Sequence, residues 1–375
     1  MHFTGGMSTA MFILYPVFLQ QLGADEMRIG QVMGVGAAAA VATRPFAGHL
    51  LDLLGSRRTL IGAGLLNLAS ILGLLPLAAI GVPLLLLTVV HAIAVGTLFA
   101  SYFTYATHIV PAERRIEGVA MFGVAGMMPN GLGPPLSEWL LQGAGSRAYF
   151  AVAAGFTTVS LLLTLLLHDA RADHEGGPRG AGVAAWLRLV RARTLLMPFA
   201  ATFLFGTGIA ALFTFLAPYA LATGRGEVGG FFFAYAFAAI FTRIVGARLP
   251  ERLGPRNVLV PALLAFGAGL AATPFTSAPP SLIAIGALCG VGHGYAFPIL
   301  NVLVVARTPA RVRGAVVSLY TAMIDLGQTV GAPLFGAIAT VSFPAMFTTA
   351  AVALVVAALG MALLARPTVL ADRDV

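Results

Sequence analysis

The chain has 375 residues, 59% of them hydrophobic and only 10% charged, with a net charge of +8 and a mean hydropathy of +0.92. Soluble globular chains carry roughly a quarter charged residues, so this composition lacks the polar surface that water demands and excludes a soluble two-domain protein of this length. All 22 basic residues are Arg, scattered in short clusters between apolar runs, which excludes a nucleic-acid face or tail.

A helix needs about 20 apolar residues to cross roughly 30 Å of hydrocarbon. Twelve segments approach that length: 2–22, 29–53, 59–79, 82–107, 116–141, 147–168, 194–222, 228–249, 256–274, 280–306, 313–338 and 343–365. The first lacks a basic leader region and reads as a span in its own right rather than a cleavable signal peptide. It begins so close to the bilayer that a few residues are expected upstream. The runs are continuous, without the alternation of barrel strands, so the expected fold is an all-α membrane protein of twelve transmembrane helices.

The polar stretch from His168 to Arg193 divides these segments six and six. Residues 1–168 and 194–375 are therefore expected to form two pseudo-symmetric six-helix bundles. Residues 169–193 are the expected cytoplasmic linker, its basic amphipathic end from Trp186 lying on the anionic leaflet. With the N-terminus inside, the outer loops hold only Arg28, Arg147 and Arg225, and the other nineteen Arg lie on or face the opposite side. Positive loops stay cytoplasmic, so both termini are expected there, in a bacterial cytoplasmic (inner) membrane.

An internal repeat links the halves. At an offset of 199, Thr43, Arg44, Asp52, Gly55 and Arg57 meet Thr242, Arg243, Glu251, Gly254 and Arg256. At an offset of 198, the run around Gly133 and Pro134 meets the run around Gly331 and Pro333. Each match holds the same place in its half, which marks a tandem duplication.

Gly48-His-Leu-Leu-Asp52-Leu-Leu-Gly55-Ser-Arg57-Arg58 resembles the loop signature of the major facilitator superfamily between its second and third spans. Gly55 suits a tight turn, and Asp52 offers a carboxylate to nearby Arg side chains and helix N-terminal amides. The resemblance implies the major facilitator fold, and it implies that Asp52, and by the repeat Glu251, brace one conformation of the transport cycle. Within the superfamily, the runs around Arg44, Arg243 and His293 are similar to bacterial drug:proton antiporters of the arabinose-efflux-like branch, which includes metallophore exporters. The antiporter-like motif keeps Gly133 and Pro134 but lacks three other glycines of that pattern, and the span-4 Arg signature is missing.

Asp325 is a carboxylate in the middle of an apolar span. Lone burial of a charge at that depth costs several kcal/mol, so such residues are functional by default. Asp325 and His293 are the expected proton-coupling residues; an ion pair of Asp325 with Arg243 or His293 is the structural alternative. Arg44 and Arg243, at the inner edge, face the other half or a carboxylate, or else snorkel to the headgroups. The resemblance implies a central cavity, for which Tyr15, Tyr102, Tyr105, Asn130, Tyr219, Tyr235, Asn301, Tyr320 and Gln328 are candidate contacts. Isolated polar side chains in bundles are more often interhelical hydrogen-bond partners.

A single cysteine, Cys289, excludes an intrachain disulfide or a Cys-based metal cluster and reads as a packing residue. No nucleophile–base set, metal cluster or phosphate loop is visible, so no enzyme, metal or cofactor is expected. The expected function is secondary active transport of a small molecule by a monomer working through alternating access. Export of a drug, metallophore or similar amphipathic solute against protons leads; uptake by proton symport and a non-transporting receptor are the alternatives.

Overall fold

A computed structural model describes residues 1–109, 115–167, 188–225, 227–276, 279–309 and 312–363. Most of the expected linker, through residue 187, lies outside them. Among the described residues every regular element is a helix. The first group comprises α1 (His2–Met11), a 3₁₀ turn (Phe12–Leu14), α2 (Tyr15–Gln21), α3 (Glu26–Leu54), α4 (Ser56–Leu74), α5 (Val82–Ile109), α6 (Arg115–Gly143) and α7 (Gly145–Leu165). The second comprises α8 (Arg193–Thr223), α9 (Gly229–Ile244), α10 (Leu249–Leu253), α11 (Pro255–Ala272), α12 (Pro279–Val305), α13 (Arg313–Ala339) and α14 (Phe343–Leu363).

Among the described residues, seven helices are long and apolar enough to cross a membrane, and Gly229–Ile244 is a shorter apolar one. Several others, such as α3 with its run of Gly and Ala, are long but less apolar. Glu26, Arg28, Gln31 and Arg44 lower the hydropathy of α3, while its small residues let helix backbones approach.

Two boundaries differ from the sequence reading. The segment 2–22 is broken: its middle turn is 3₁₀, and α2 restarts with Pro16 in its first turn. Proline has no N–H and crowds the carbonyl four residues back, here that of Phe12, so the α ladder cannot run through. The segment 228–249 is helical only to Ile244, after which Gly246 and Pro250 turn the chain into the short α10. Glycine weakens a helix interior, and Pro250 sits in the first turn of the new helix, where its missing N–H is not needed.

The chain separates into two compact units: Met1–Ala24 with Val35–Gly176, and Asp25–Gly34 with Gly177–Val375. In the first, α1 packs on α6 and α7, and α4 packs on α5 and α7. In the second, α8 packs on α13 and α14, and α11 packs on α12 and α14. These are the same four pairings at the repeat offset. One contact shows why. A Cβ on Gly133 of α6 would lie 2.8 Å from Ala10 Cβ of α1, and a Cβ on Gly331 of α13 would lie 3.1 Å from Thr207 Cα of α8. The duplicated glycines thus seat duplicated helix crossings.

The loop repeat is also visible in the backbone. Gly55 opens α4 at φ 78°, and Gly254 opens α11 at φ 87°. Both need the left-handed region that side chains resist.

Candidate functional site

The polar chemistry of the second unit gathers around α12. Gly286, Gly290 and Gly294 recur every fourth residue, so they share one face of that helix. A Cβ on Gly286 would meet the backbone of Phe231, one on Gly290 the backbone of Tyr235, and one on Gly294 that of Ala239. These three lie on α9, again four residues apart. Two small-residue faces therefore bring α9 and α12 close together, and this approach places Tyr235 against His293.

Tyr235 Oη and His293 Nδ1 share a hydrogen bond of 2.6 Å. The imidazole lies parallel to the Phe297 ring, with centroids 5.8 Å apart and planes 7° apart, and Phe205 of α8 stands 5.2 Å from it. Phe297 is the centre of the cluster. The Arg243 guanidinium lies over its ring at 5.6 Å, within cation–π range. The Tyr320 hydroxyl of α13 donates to the Phe297 carbonyl at 2.6 Å. Tyr235 and Tyr320 are essentially fully buried, so their hydroxyls need these partners. Arg243 is half-buried, yet its Nε is shut from solvent with no acceptor among the described residues.

Asp325 sits on α13, five residues beyond Tyr320 and half-buried, and its carbonyl accepts the Thr329 hydroxyl at 2.8 Å. Gln328 on the same helix and Asn301 on α12 are also half-buried. Tyr219 of α8 lies apart from this cluster. It is buried, donates to the Pro274 carbonyl at 3.4 Å, and carries the Arg225 guanidinium 5.3 Å from its ring. Cys289 is fully buried beside the Phe266 carbonyl.

In the first unit the candidate tyrosines bind neighbouring helices. Tyr15 shares a 2.9 Å hydrogen bond with Thr88 of α5, and Tyr102 a 3.1 Å bond with Ser160 of α7. Tyr105 packs in an apolar cluster with Leu60, Ala63 and Leu98. A small cavity of ≈ 10 Å³ beside Tyr102 is also lined by Asn67, Thr157 and Ser160. Asn67 donates to Thr157 at 3.3 Å, while its buried Oδ1 has no partner among the described residues. A cavity needs at least about 10–15 Å³ to hold one water, so this one approaches that size beside an unused acceptor. Asn130 is half-buried on α6.

At the charged loops, Arg57 Nη2 donates to the Leu165 carbonyl at 2.9 Å, which ties the start of α4 to the end of α7. Arg58, Glu251 and Arg256 are exposed, and Arg44 is half-buried on α3. Gly48 and Asp52 lie on α3, but the surroundings of both are outside what the structure describes. Pro134 and Pro333 lie inside α6 and α13. Among the described residues no group of His, Cys, Asp and Glu could hold a metal ion.

Phe297 is the residue that sequence reasoning missed. An aromatic in an apolar span carries no signal alone. The repeat offers one: Arg243 corresponds to Arg44 at the offset of 199, and Phe297 to Phe99 at 198.

The family model described as Major Facilitator Superfamily matches residues 1–232 and again 199–374. An uncharacterized MFS-type transporter of Salmonella typhimurium is 28% identical over 88% of this chain and 87% of its own. A probable nitrate/nitrite transporter of Mycobacterium tuberculosis is 29% identical over 78% of this chain and 74% of its own. Among solved structures, the nucleoside transporter NupG superposes with a TM-score of 0.78 at 15% identity, covering 97% of this chain and 96% of that one. A peptide transporter mutant in complex with sulfate gives 0.77 at 16% identity, covering 96% and 92%. These two likenesses concern the fold.

Proposed function

We propose that this chain, which belongs to the Major Facilitator Superfamily, exports a small amphipathic solute in exchange for protons. It is an all-helical, multi-pass integral membrane protein that transports a small solute, and it is not an enzyme. The finer reading places twelve spans in two six-helix bundles, 1–168 and 194–375, joined by a cytoplasmic linker at 169–193. Both termini face the cytoplasm, on the inner side of a bacterial inner membrane, and the transporter works as a monomer. The Arg asymmetry between the two sets of loops supports this orientation.

The observation that carries proton coupling is Asp325, half-buried within α13. A carboxylate at membrane depth is costly as an anion, so solute and proton can compete for the same environment. His293, bonded to Tyr235, is the second titratable group of the coupling reading. Drugs and metallophores are the proposed solute class, from the sequence resemblance to exporters. Duplicated small-residue crossings within each unit suit helices that slide past one another.

Proteoliposome flux under an imposed pH gradient tests the reading. Asp325→Asn is expected to abolish gradient-driven export while leaving solute binding partly intact. Undiminished gradient-driven flux by that variant removes Asp325 from the mechanism. The relative named as a nitrate/nitrite transporter favours a second reading, uptake of a small anion by proton symport. The sign of the gradient that drives accumulation separates the two.

A further inference from the structure

We propose that Arg243 is the recognition site for an anionic group of the solute, a carboxylate accepted beside the Phe297 ring. This rests on the transport reading only in treating the bound molecule as the transported one.

Four observations within the second unit carry it. Arg243 lies on the last turn of α9, in an apolar segment, where a guanidinium is expensive to keep without a counter-charge. Its environment among the described residues is aromatic and neutral. Phe297 lies under it, and the titratable groups that act on it are the Tyr235 and Tyr320 phenols and the His293 imidazole. Those phenols are already engaged, Tyr235 with His293 and Tyr320 with the Phe297 carbonyl. Finally, Arg243 Nε is buried with no acceptor, although the residue as a whole keeps partial exposure.

A buried donor left unsatisfied costs free energy that native structures rarely leave uncompensated. The guanidinium fork matches a carboxylate in two parallel hydrogen bonds, whereas an ammonium offers only a point charge. A ligand carboxylate would supply both the missing acceptor and the missing negative charge. Cation–π contact with Phe297 holds the fork in place meanwhile. The site thus selects amphipathic molecules that carry an acid group, and it gives neutral isosteres nothing comparable.

The test compares sodium benzoate with benzamide, which share size and shape and differ in charge. Binding is measured by isothermal titration calorimetry on the full-length protein in detergent. Charge-assisted hydrogen bonding should make benzoate bind about tenfold or more tightly than benzamide. Arg243→Gln should remove that preference, and Arg243→Lys should retain only part of it. Equal binding of the two probes by the unsubstituted protein overturns the proposal. So does an Arg243→Gln protein that still prefers benzoate. If Arg243→Gln does not fold, Arg243→Lys decides: an undiminished preference there overturns the role of the guanidinium fork. Equilibrium binding does not depend on proton coupling, so absent preference with intact proton-driven flux defeats this inference alone.

Discussion

Tyr235 and His293 share a 2.6 Å hydrogen bond across two helices whose backbones meet at Gly290. The hydroxyl belongs to α9 and the imidazole to α12, 58 residues apart in sequence. The half-buried imidazole sits among Phe205, Phe266 and Phe297, and the buried Tyr235 ring lies beside Phe213 and Phe231. The bond is therefore structural support for a titratable side chain as well as a helix-to-helix tie.

Tyr235→Phe leaves His293 Nδ1 without its partner and should destabilise the protein by about 1–3 kcal/mol. His293→Phe should cost a similar amount. The double substitution should cost less than the sum, with a coupling energy of about 0.5–3 kcal/mol. Thermal unfolding of the four proteins in one detergent measures this. Strict additivity would mean that the bond contributes nothing to stability.

Gly290→Ala puts a methyl group into the Tyr235 backbone. Overpacking of this kind costs about 1–3 kcal/mol, and it should also displace Tyr235 from His293. Gly155→Ala is the control, because a Cβ there meets nothing within 4 Å. A melting temperature that falls for Gly290→Ala but holds for Gly155→Ala is the expected pair of results. Equal behaviour would show that α9 and α12 can move apart freely.

Gly55→Ala and Gly254→Ala should each cost about 1–2 kcal/mol, since both residues occupy the left-handed region. The space around Gly55 is open, with nothing within 4 Å of a Cβ, so the penalty there is conformational rather than steric. Gly62→Ala, inside α4 and equally open, should be neutral or stabilising because alanine favours helix by about 0.8–1.0 kcal/mol. Melting curves of the three variants distinguish a backbone effect from a general intolerance of substitution.

Asp52→Asn and Glu251→Gln test whether the duplicated acidic positions share a role. Each is expected to slow solute flux in proteoliposomes while solute binding, read by calorimetry, stays near its original strength. A variant that loses binding and flux together would assign its carboxylate to the solute rather than to the conformational cycle.

Much of the helical architecture was legible because it depends on local composition. Continuous apolar runs in lipid must satisfy their own backbone hydrogen bonds, and helices do so within one segment. The turn glycines Gly55 and Gly254 were legible through the repeat, and both take positive φ. The break before Pro16 followed from an ordinary proline rule, yet the long apolar run around it concealed the interruption. The Arg243 environment was not legible. Facing the other half, a carboxylate or the headgroups were the available expectations, and the aromatic platform of Phe297 was not among them.

The sequence by itself determined a helical membrane chain, duplicated, with paired turns and one carboxylate within its eleventh apolar run. Composition, periodicity and spacing act within a segment or between exact repeats, so those features need no knowledge of neighbours. Only the tertiary structure decided that Tyr235 reaches His293, that Arg243 lies over Phe297, and that Tyr320 spends its hydroxyl on a backbone carbonyl. Those pairings depend on how closely glycine faces let helices approach, and a distance between helices is written in no single stretch of chain.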